Sequence, residues 1–173
     1  MLKIKHLVAT SLLVMSSVYA ADGQVNFNGE LHSDTCNITN AIGGNVNIIL
    51  PNISANNFPS GSERAGQTAF DINLANCTDE TGVSISFTGD ANQVNANTGL
   101  FKNISQNNPA TNIEVAVYDS TDTLVKAQGA ASESVNIVSG NATIPMTVYY
   151  QATAAGVTAG SVIATGGINL VYR

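Results

Sequence analysis

Three features of the sequence predict an all-β fold. Apolar side chains recur at every second position in eight segments, which is the spacing of a strand with one buried face. Stretches rich in Asn, Gly and Ser separate these segments. No segment keeps a helical period with capping residues for more than about two turns, although residues 152–159 could form a short helical turn. The pattern is typical of an antiparallel, immunoglobulin-like sandwich.

The predicted strands follow one another along the whole chain, and the last one ends at the final residues. Turn-rich stretches lie between them at 40–45, 52–66, 88–99 and 128–134. The alternating apolar positions are Val25, Phe27 and Leu31; Val46, Ile48 and Leu50; Phe70, Ile72 and Leu74; Val83, Ile85 and Phe87; Ile113, Val115 and Val117; Val135 and Ile137; Ile144, Met146, Val148 and Tyr150; and Ile168, Leu170 and Tyr172.

The first twenty residues have the features of a secretory signal. Lys3 and Lys5 precede an uncharged, mainly apolar run over 7–17, and Val18-Tyr19-Ala20 places small residues at the two key positions of a cleavage site. A short membrane anchor is the alternative, but an eleven-residue helix spans only about half of the roughly 30 Å hydrocarbon core. We therefore expect residues 1–20 to be removed and the product to be exported.

Composition and charge exclude nucleic acid as a partner. The 173-residue chain is 44% hydrophobic, enough for one folded domain, but only 10% charged, against about 25% in average soluble domains. After residue 20 it has four Lys and Arg against twelve Asp and Glu, a net charge near −8. Four scattered cations cannot form the basic patch that neutralises phosphates.

The two cysteines, Cys36 and Cys77, predict a disulfide, because an exported protein folds in an oxidising compartment. Their spacing is not that of a redox CxxC motif. His32, the one histidine after residue 20, leaves too few ligands for a zinc site. A bridge closing about 42 residues is worth roughly 4 kcal/mol in the chain-entropy relation.

Candidate catalytic groups are scarce. The sequence contains no GxSxG or HExxH motif, and its cysteines are assigned to the predicted bridge. Carboxylates such as Asp71, Asp79, Glu80, Asp119 and Asp122 fit turn and surface positions. We therefore expect no catalytic residues, no metal site and no cofactor.

Both ends of the exported chain differ from those of an ordinary closed sandwich. Residues 23–31 alternate well but lie upstream of the first cysteine, where they could still form an ordinary first strand. Residues 162–173 alternate up to the last residue, with no polar tail. Because chain termini usually fray, a terminal strand of this kind indicates that another segment pairs with it.

Five features occur in a fixed order along the exported chain: an alternating extension, a cysteine soon after it, a second cysteine after an apolar strand, a Tyr-Tyr-Gln-Ala-Thr segment, and a C-terminal signature. Together they resemble the type 1 fimbrial subunits of the chaperone-usher pathway, over essentially the whole exported chain. In this sequence they are Val25-x-Phe27-x-Gly29-x-Leu31, Cys36, Cys77 after Phe70-x-Ile72-x-Leu74, Tyr149 to Thr153, and Gly160 with the penultimate Tyr172.

The resemblance implies an incomplete immunoglobulin-like sandwich that lacks its final strand and has an open apolar groove beside the last one. It divides the exported chain into a donor-strand extension, residues 21–33, and a pilin domain, residues 34–173. Val25, Phe27 and Leu31 would fill pockets of a neighbouring subunit, and Gly29 would lie where the groove is shallow. A plain bulge or bend is the alternative role for Gly29.

The same resemblance implies the partners. A periplasmic chaperone lends a strand to the groove until, at an outer-membrane usher, the extension of the next subunit replaces it; this is donor-strand complementation. The chaperone would also hold the terminal carboxylate with its cations. The expected groove and chaperone residues are Gly160, Val162, Ala164, Ile168, Leu170, Tyr172 and Arg173.

The predicted function is that of a structural subunit of a bacterial fimbria, which is exported through the periplasm to the cell surface and serves adhesion. A minor adaptor or tip-associated adhesive subunit that binds a host-surface glycan or protein is the alternative. The pathway's chaperones are larger, two-domain and usually basic, and its two-domain adhesins are about twice this length and carry no donor extension. Neither class matches this chain.

Overall fold

The computed structural model describes residues 36–77 and 81–173. They form an all-β fold, as the sequence predicts, with one 3₁₀ turn at Ala55–Asn57. Among these residues no helix has the length and apolar character needed to cross a membrane. The strands are β1 (Asn37–Ile38), β2 (Arg64–Ala75), β3 (Gly82–Thr88), β4 (Phe101–Lys102), β5 (Ile113–Asp119), β6 (Val135–Asn136), β7 (Ala142–Ala152) and β8 (Gly167–Tyr172).

The strands form two antiparallel sheets. The larger has the order β1-β2-β7-β5-β4, and the smaller has the order β6-β3-β8. Inward-facing side chains from both sheets form one apolar cluster. The most deeply buried are Ile72, Ile144 and Met146 in the larger sheet and Val83 and Ile85 in the smaller one. Each such side chain stabilises the fold by about 1.5–3 kcal/mol through burial.

A disulfide joins the start of β1 to the end of β2. The sulfur atoms of Cys36 and Cys77 are 2.04 Å apart, and the two Cα atoms are 4.2 Å apart. Beyond the bridge, the Cys77 N–H donates to the Gly140 carbonyl at 3.0 Å. This end of the sandwich is therefore tied both covalently and through the turn before β7.

Two predicted strands differ from those in the structure. Residues 46–50 keep the predicted alternation, with Val46, Ile48 and Leu50 half-buried against the core. They form no strand because their backbone has no hydrogen-bond partner among the described residues. The last strand begins at Gly167 rather than at Val162, because the chain before it bonds to a different segment, as described below.

The possible helical turn at 152–159 does not form. Gly156 has a φ of +77°, in the left-handed region that interrupts a right-handed helix. The Asn112 side-chain amide donates to the carbonyls of Ala155 and Gly156, at 3.0 and 3.3 Å. These carbonyls are thereby bound by a neighbouring loop instead of by a helical ladder.

Candidate functional site

Strand β8 lies at the edge of the smaller sheet, and its inward side chains are only half-covered. Their cross-strand neighbours in β3 are at most 6% exposed. Residues that lie opposite each other on one face of a sheet are normally buried to a similar extent, because they pack together against the same neighbours. The difference in exposure therefore indicates that a layer of side chains is absent beside β8. The pairs are Ile168 with Phe87, Leu170 with Ile85, and Tyr172 with Val83.

The backbone of β8 gives the same result. Arg173 and Gly82 exchange both of their N–H···O=C bonds, each at 3.0 Å. Bonded and non-bonded pairs alternate in an antiparallel ladder. Tyr172, the residue before Arg173, therefore directs its N–H and C=O away from β3. The groups that point to the open edge, with no backbone partner among the described residues, belong to Ile168, Leu170 and Tyr172.

The chain before β8 continues this alternation against another segment. The Ile163 carbonyl accepts from the Ile104 N–H at 2.8 Å, and the Ser161 carbonyl accepts from the Ala110 N–H at 3.0 Å. Val162 lies between these two bonded residues, and Ala164 follows them. Both have half-buried side chains and no backbone hydrogen-bond partner within the described part of the chain. Residues 162–172 thus form one continuous wall, which we call the second wall.

Residues 46–50 form a similar wall, which we call the first wall. Val46, Ile48 and Leu50 face the core, whereas Ile49 between them is 90% exposed. This segment is therefore extended and alternating, like a strand, but unpaired. The sequence predicted it as an ordinary strand and did not mark it as part of a site.

Two contacts fix the direction of the first wall relative to the second. At one end the Cys36 N–H, just before β1, donates to the Tyr172 hydroxyl at 2.8 Å. At the other end a cavity of about 280 Å³ is lined both by Pro51, which follows the first wall, and by Gly160 and Val162 of the second. The chain from residue 36 to residue 51 therefore runs in the opposite direction to the second wall, and we call the apolar surface formed by the half-buried side chains of the two walls the groove.

The cavity at the far end is lined by a second apolar cluster that includes Phe58, Ala110 and Ile113. Tyr150 closes it from β7, and its hydroxyl donates to the Pro51 carbonyl at 3.2 Å. Burial raises the pKa of this hydroxyl above its ordinary value. The second wall thus begins beside this pocket, which we call the end pocket.

Gly160 is required here by space. A Cβ at this position would lie 2.5 Å from both the Ala110 nitrogen and the Asn108 carbonyl oxygen. Because these neighbours are backbone atoms, they cannot move aside as a flexible side chain would. The glycine allows the chain to pass closely under residues 108–110 before it enters the second wall.

The main-chain oxygen of Arg173 has partners in its own chain. It accepts from the Gly82 N–H at 3.0 Å, from the Thr81 N–H at 3.2 Å and from the Thr81 hydroxyl at 2.8 Å. These bonds order β8 up to its last residue. Contact between this end and chaperone cations stays a prediction.

The structure brings most of the predicted groove residues together on the second wall: Val162, Ala164, Ile168, Leu170 and Tyr172, with Gly160 at its start. The predicted donor residues Val25, Phe27, Gly29 and Leu31, and the predicted signal at 1–20, lie outside the described residues. Sequence reasoning missed the first wall and the end pocket. The alternation at 46–50 was visible, but a paired strand has the same pattern.

The arrangement is suited to binding an extended apolar segment. Free N–H and C=O groups along the second wall supply ladder bonds to any strand, and the half-buried side chains leave gaps that alternate apolar residues can fill. Within the described ranges no cluster of three His, Cys, Asp or Glu side chains could hold a metal ion.

A family model described as fimbrial protein matches residues 25–173. The chain belongs to the fimbrial protein family. This fimbrial subunit is 31% identical over 162 residues to the major fimbrial subunit SMF-1 of Stenotrophomonas maltophilia, covering 89% of this chain and 94% of the relative. It is a structural subunit of a surface fimbria.

Solved structures share the fold of this fimbrial subunit. A Burkholderia pseudomallei antigen and type I fimbria protein superposes with a TM-score of 0.59 and 27% identity, over 73% of this chain and 82% of the other. The P pilus rod subunit PapA superposes with a TM-score of 0.62 and 21% identity, over 80% of this chain and 99% of the other.

Proposed function

We propose that this fimbrial subunit polymerises by donor-strand exchange, with residues 23–33 of one subunit entering the groove of its neighbour. The observation that supports this most directly is that the second wall lacks both backbone partners and full cover for its apolar side chains. Ile168, Leu170 and Tyr172 each offer an unpaired backbone edge and a half-covered apolar side chain. Only an added strand satisfies both at once.

The extension has the matching pattern. Val25, Phe27 and Leu31 occur at alternate positions and would point into the groove together, while Gly29 would pass over its shallow part. The donor would run antiparallel to β8, as the family resemblance implies. Its outward residues, such as Asn26 and Asn28, are polar and suit the solvent side.

A subunit with this groove open has an apolar, unpaired edge, which is a template for aggregation. We infer that a periplasmic chaperone covers the groove with one of its own strands after export, and that an outer-membrane usher directs the exchange for the next subunit's extension. The chaperone would contact the second wall and the region of Arg173.

Two adjacent residues of β8 provide a matched test. Leu170 is half-buried and faces the groove, whereas Val171 is 43% exposed on the other face of the strand. We expect Leu170→Asp to abolish co-purification with the cognate periplasmic chaperone and incorporation into fibres, because it places a charge in an apolar site. Val171→Asp should keep both.

The measurement is the yield of tagged chaperone recovered with each variant after co-expression, together with the yield of sheared fibres. Wild-type recovery of both with Leu170→Asp would contradict the assignment of β8 as the docking edge. Equal loss with Val171→Asp would point to a general effect of charge on the strand.

A further inference from the structure

Strand β1 stops early, although its neighbour β2 continues well beyond it. β1 pairs only with the last two residues of β2. In the same register Thr39 would lie opposite Asn73, and Ala41 opposite Asp71. The Thr39 N–H does donate to the Asn73 carbonyl at 2.8 Å, but within the described chain neither Thr39 nor Ala41 makes a further backbone bond to β2. The ladder therefore ends halfway through the pair of Thr39 and Asn73.

The side-chain amide of Asn40 takes the two places that the backbone leaves. Its Oδ1 accepts from the Asn73 N–H at 3.1 Å, where the Thr39 carbonyl would accept in a continued ladder. Its Nδ2 donates to the Asp71 carbonyl at 2.7 Å, where the Ala41 N–H would donate. Because a side-chain amide carries both a donor and an acceptor, as a peptide group does, Asn40 occupies two ladder positions of β2.

The chain turns away from β2 directly after Asn40. Ile42 and Asn45 exchange two backbone bonds, at 2.9 and 3.1 Å, across a tight turn. Gly43 and Gly44 inside this turn have φ values of +60° and +81°, which glycine adopts without steric strain. The first wall begins at the next residue. Asn40 thus lies at the point where the chain leaves the larger sheet to form the first wall.

We propose that Asn40 is a positioning residue that keeps the first wall available to a donor strand, because it stops β1 from pairing further along β2. This inference rests on donor-strand exchange as the proposed function. The free backbone groups of a strand edge favour pairing with any extended segment nearby. Residues 39–45 are the whole connection between β1 and the first wall, so a longer β1 would draw the first wall toward β2.

Asn40→Ala tests the inference, with Asn45→Ala as the matched control. Both changes remove a side-chain amide that bonds the backbone, but the Asn45 Nδ2 donates to the Gly43 carbonyl at 3.2 Å, inside the turn. Both side chains are exposed, so neither change opens a cavity in the core. Amide hydrogen exchange and the affinity for a synthetic donor peptide of residues 23–33 are measured on subunits released from the chaperone.

In Asn40→Ala we expect the Thr39 carbonyl and the Ala41 N–H to take the vacated places on β2. Exchange at Ala41 should then slow, and exchange at Asn73 should stay as slow as in the wild type. If nine-tenths of the molecules adopt the longer β1, the donor peptide binds about tenfold more weakly. Asn45→Ala should match the wild type in all three measurements.

Faster exchange at Asn73 without slower exchange at Ala41 would overturn the inference, because this is the result of losing an amide that only stabilises the end of β1. Wild-type affinity of Asn40→Ala for the donor peptide would overturn it as well, as would equal weakening in Asn45→Ala. Failure of the wild-type subunit to bind the peptide would instead refute the proposed function, together with the inference that rests on it.

Discussion

At the scale of single residues, the carboxylate of Asp119 orders the turn that follows β5. One oxygen accepts from the Thr121 N–H at 2.9 Å, the Thr121 hydroxyl at 2.7 Å and the Thr123 N–H at 3.0 Å, and the other accepts from the Glu133 N–H at 2.9 Å. Burial alone would raise the pKa of Asp119, but these four hydrogen bonds outweigh it and lower the pKa.

This carboxylate should make stability depend on pH. Because its pKa is lower in the folded state than the roughly 3.9 of an unfolded chain, its contribution is present above about pH 4 and is lost as the pH falls through the folded pKa. Asp119→Asn should lower the free energy of unfolding at pH 7 by about 1–3 kcal/mol and flatten its decrease in acid. Urea unfolding of the donor-complemented subunit across pH measures both.

The control for Asp119 is Asp71→Asn, at an exposed carboxylate of β2. We expect this variant to follow the wild-type stability closely. An acid dependence in Asp119→Asn as steep as that of the wild type would show that another group is responsible.

Gly160 gives a second prediction at the residue scale. Gly160→Ala should destabilise the subunit by about 1–3 kcal/mol, because the new methyl group overlaps backbone atoms at 2.5 Å. Gly156→Ala is the control: no atom lies within 4 Å of the added Cβ, although its φ of +77° disfavours Ala by about 1 kcal/mol. The measurement is the thermal unfolding of both variants. A larger loss of stability in Gly156→Ala than in Gly160→Ala would contradict this explanation.

At the scale of elements, alternation in the sequence predicted which side chains turn inward but not which segments pair. The inward direction of Val46, Ile48 and Leu50 is a local property of extended chain. Pairing depends on what lies alongside, and the backbone of residues 46–50 has no hydrogen-bond partner among the described residues. The break before Gly167 likewise arises from bonds to residues 104 and 110, distant in sequence, and the two-residue β4 is too short to show a period.

The first wall can be tested separately from β8. Ile48 is half-buried and faces the groove, whereas Ile49 is 90% exposed. Ile48→Asp should abolish binding of a synthetic donor peptide of residues 23–33 to subunits released from the chaperone, and Ile49→Asp should leave it intact. If Ile48→Asp bound the peptide as the wild type does, the donor would not lie against the first wall.

At the scale of the whole molecule, the subunit is a sandwich whose core is complete beneath β3 and open beside β8. The all-β class followed from alternation, and the disulfide followed from two cysteines in an exported chain. The missing strand followed from the alternation up to the last residue, which indicated that another segment pairs with it, and from the resemblance to fimbrial subunits. The composition of one chain does not identify such a segment, because under the proposed donor-strand exchange its side chains belong to another subunit.

The most direct test of this account supplies the strand in the same chain. A copy of residues 23–33 is appended after Arg173 through a short hairpin turn, which makes it antiparallel to β8, and residues 21–31 are deleted. We expect a chaperone-independent monomer that cannot join a fibre. Its amide exchange should slow markedly at Ile168, Leu170 and Tyr172, and much less at Asn169 and Val171, which already bond β3. Fast exchange at the first three amides, in a monomer whose appended strand is intact, would contradict the claim that the groove accepts a donor strand.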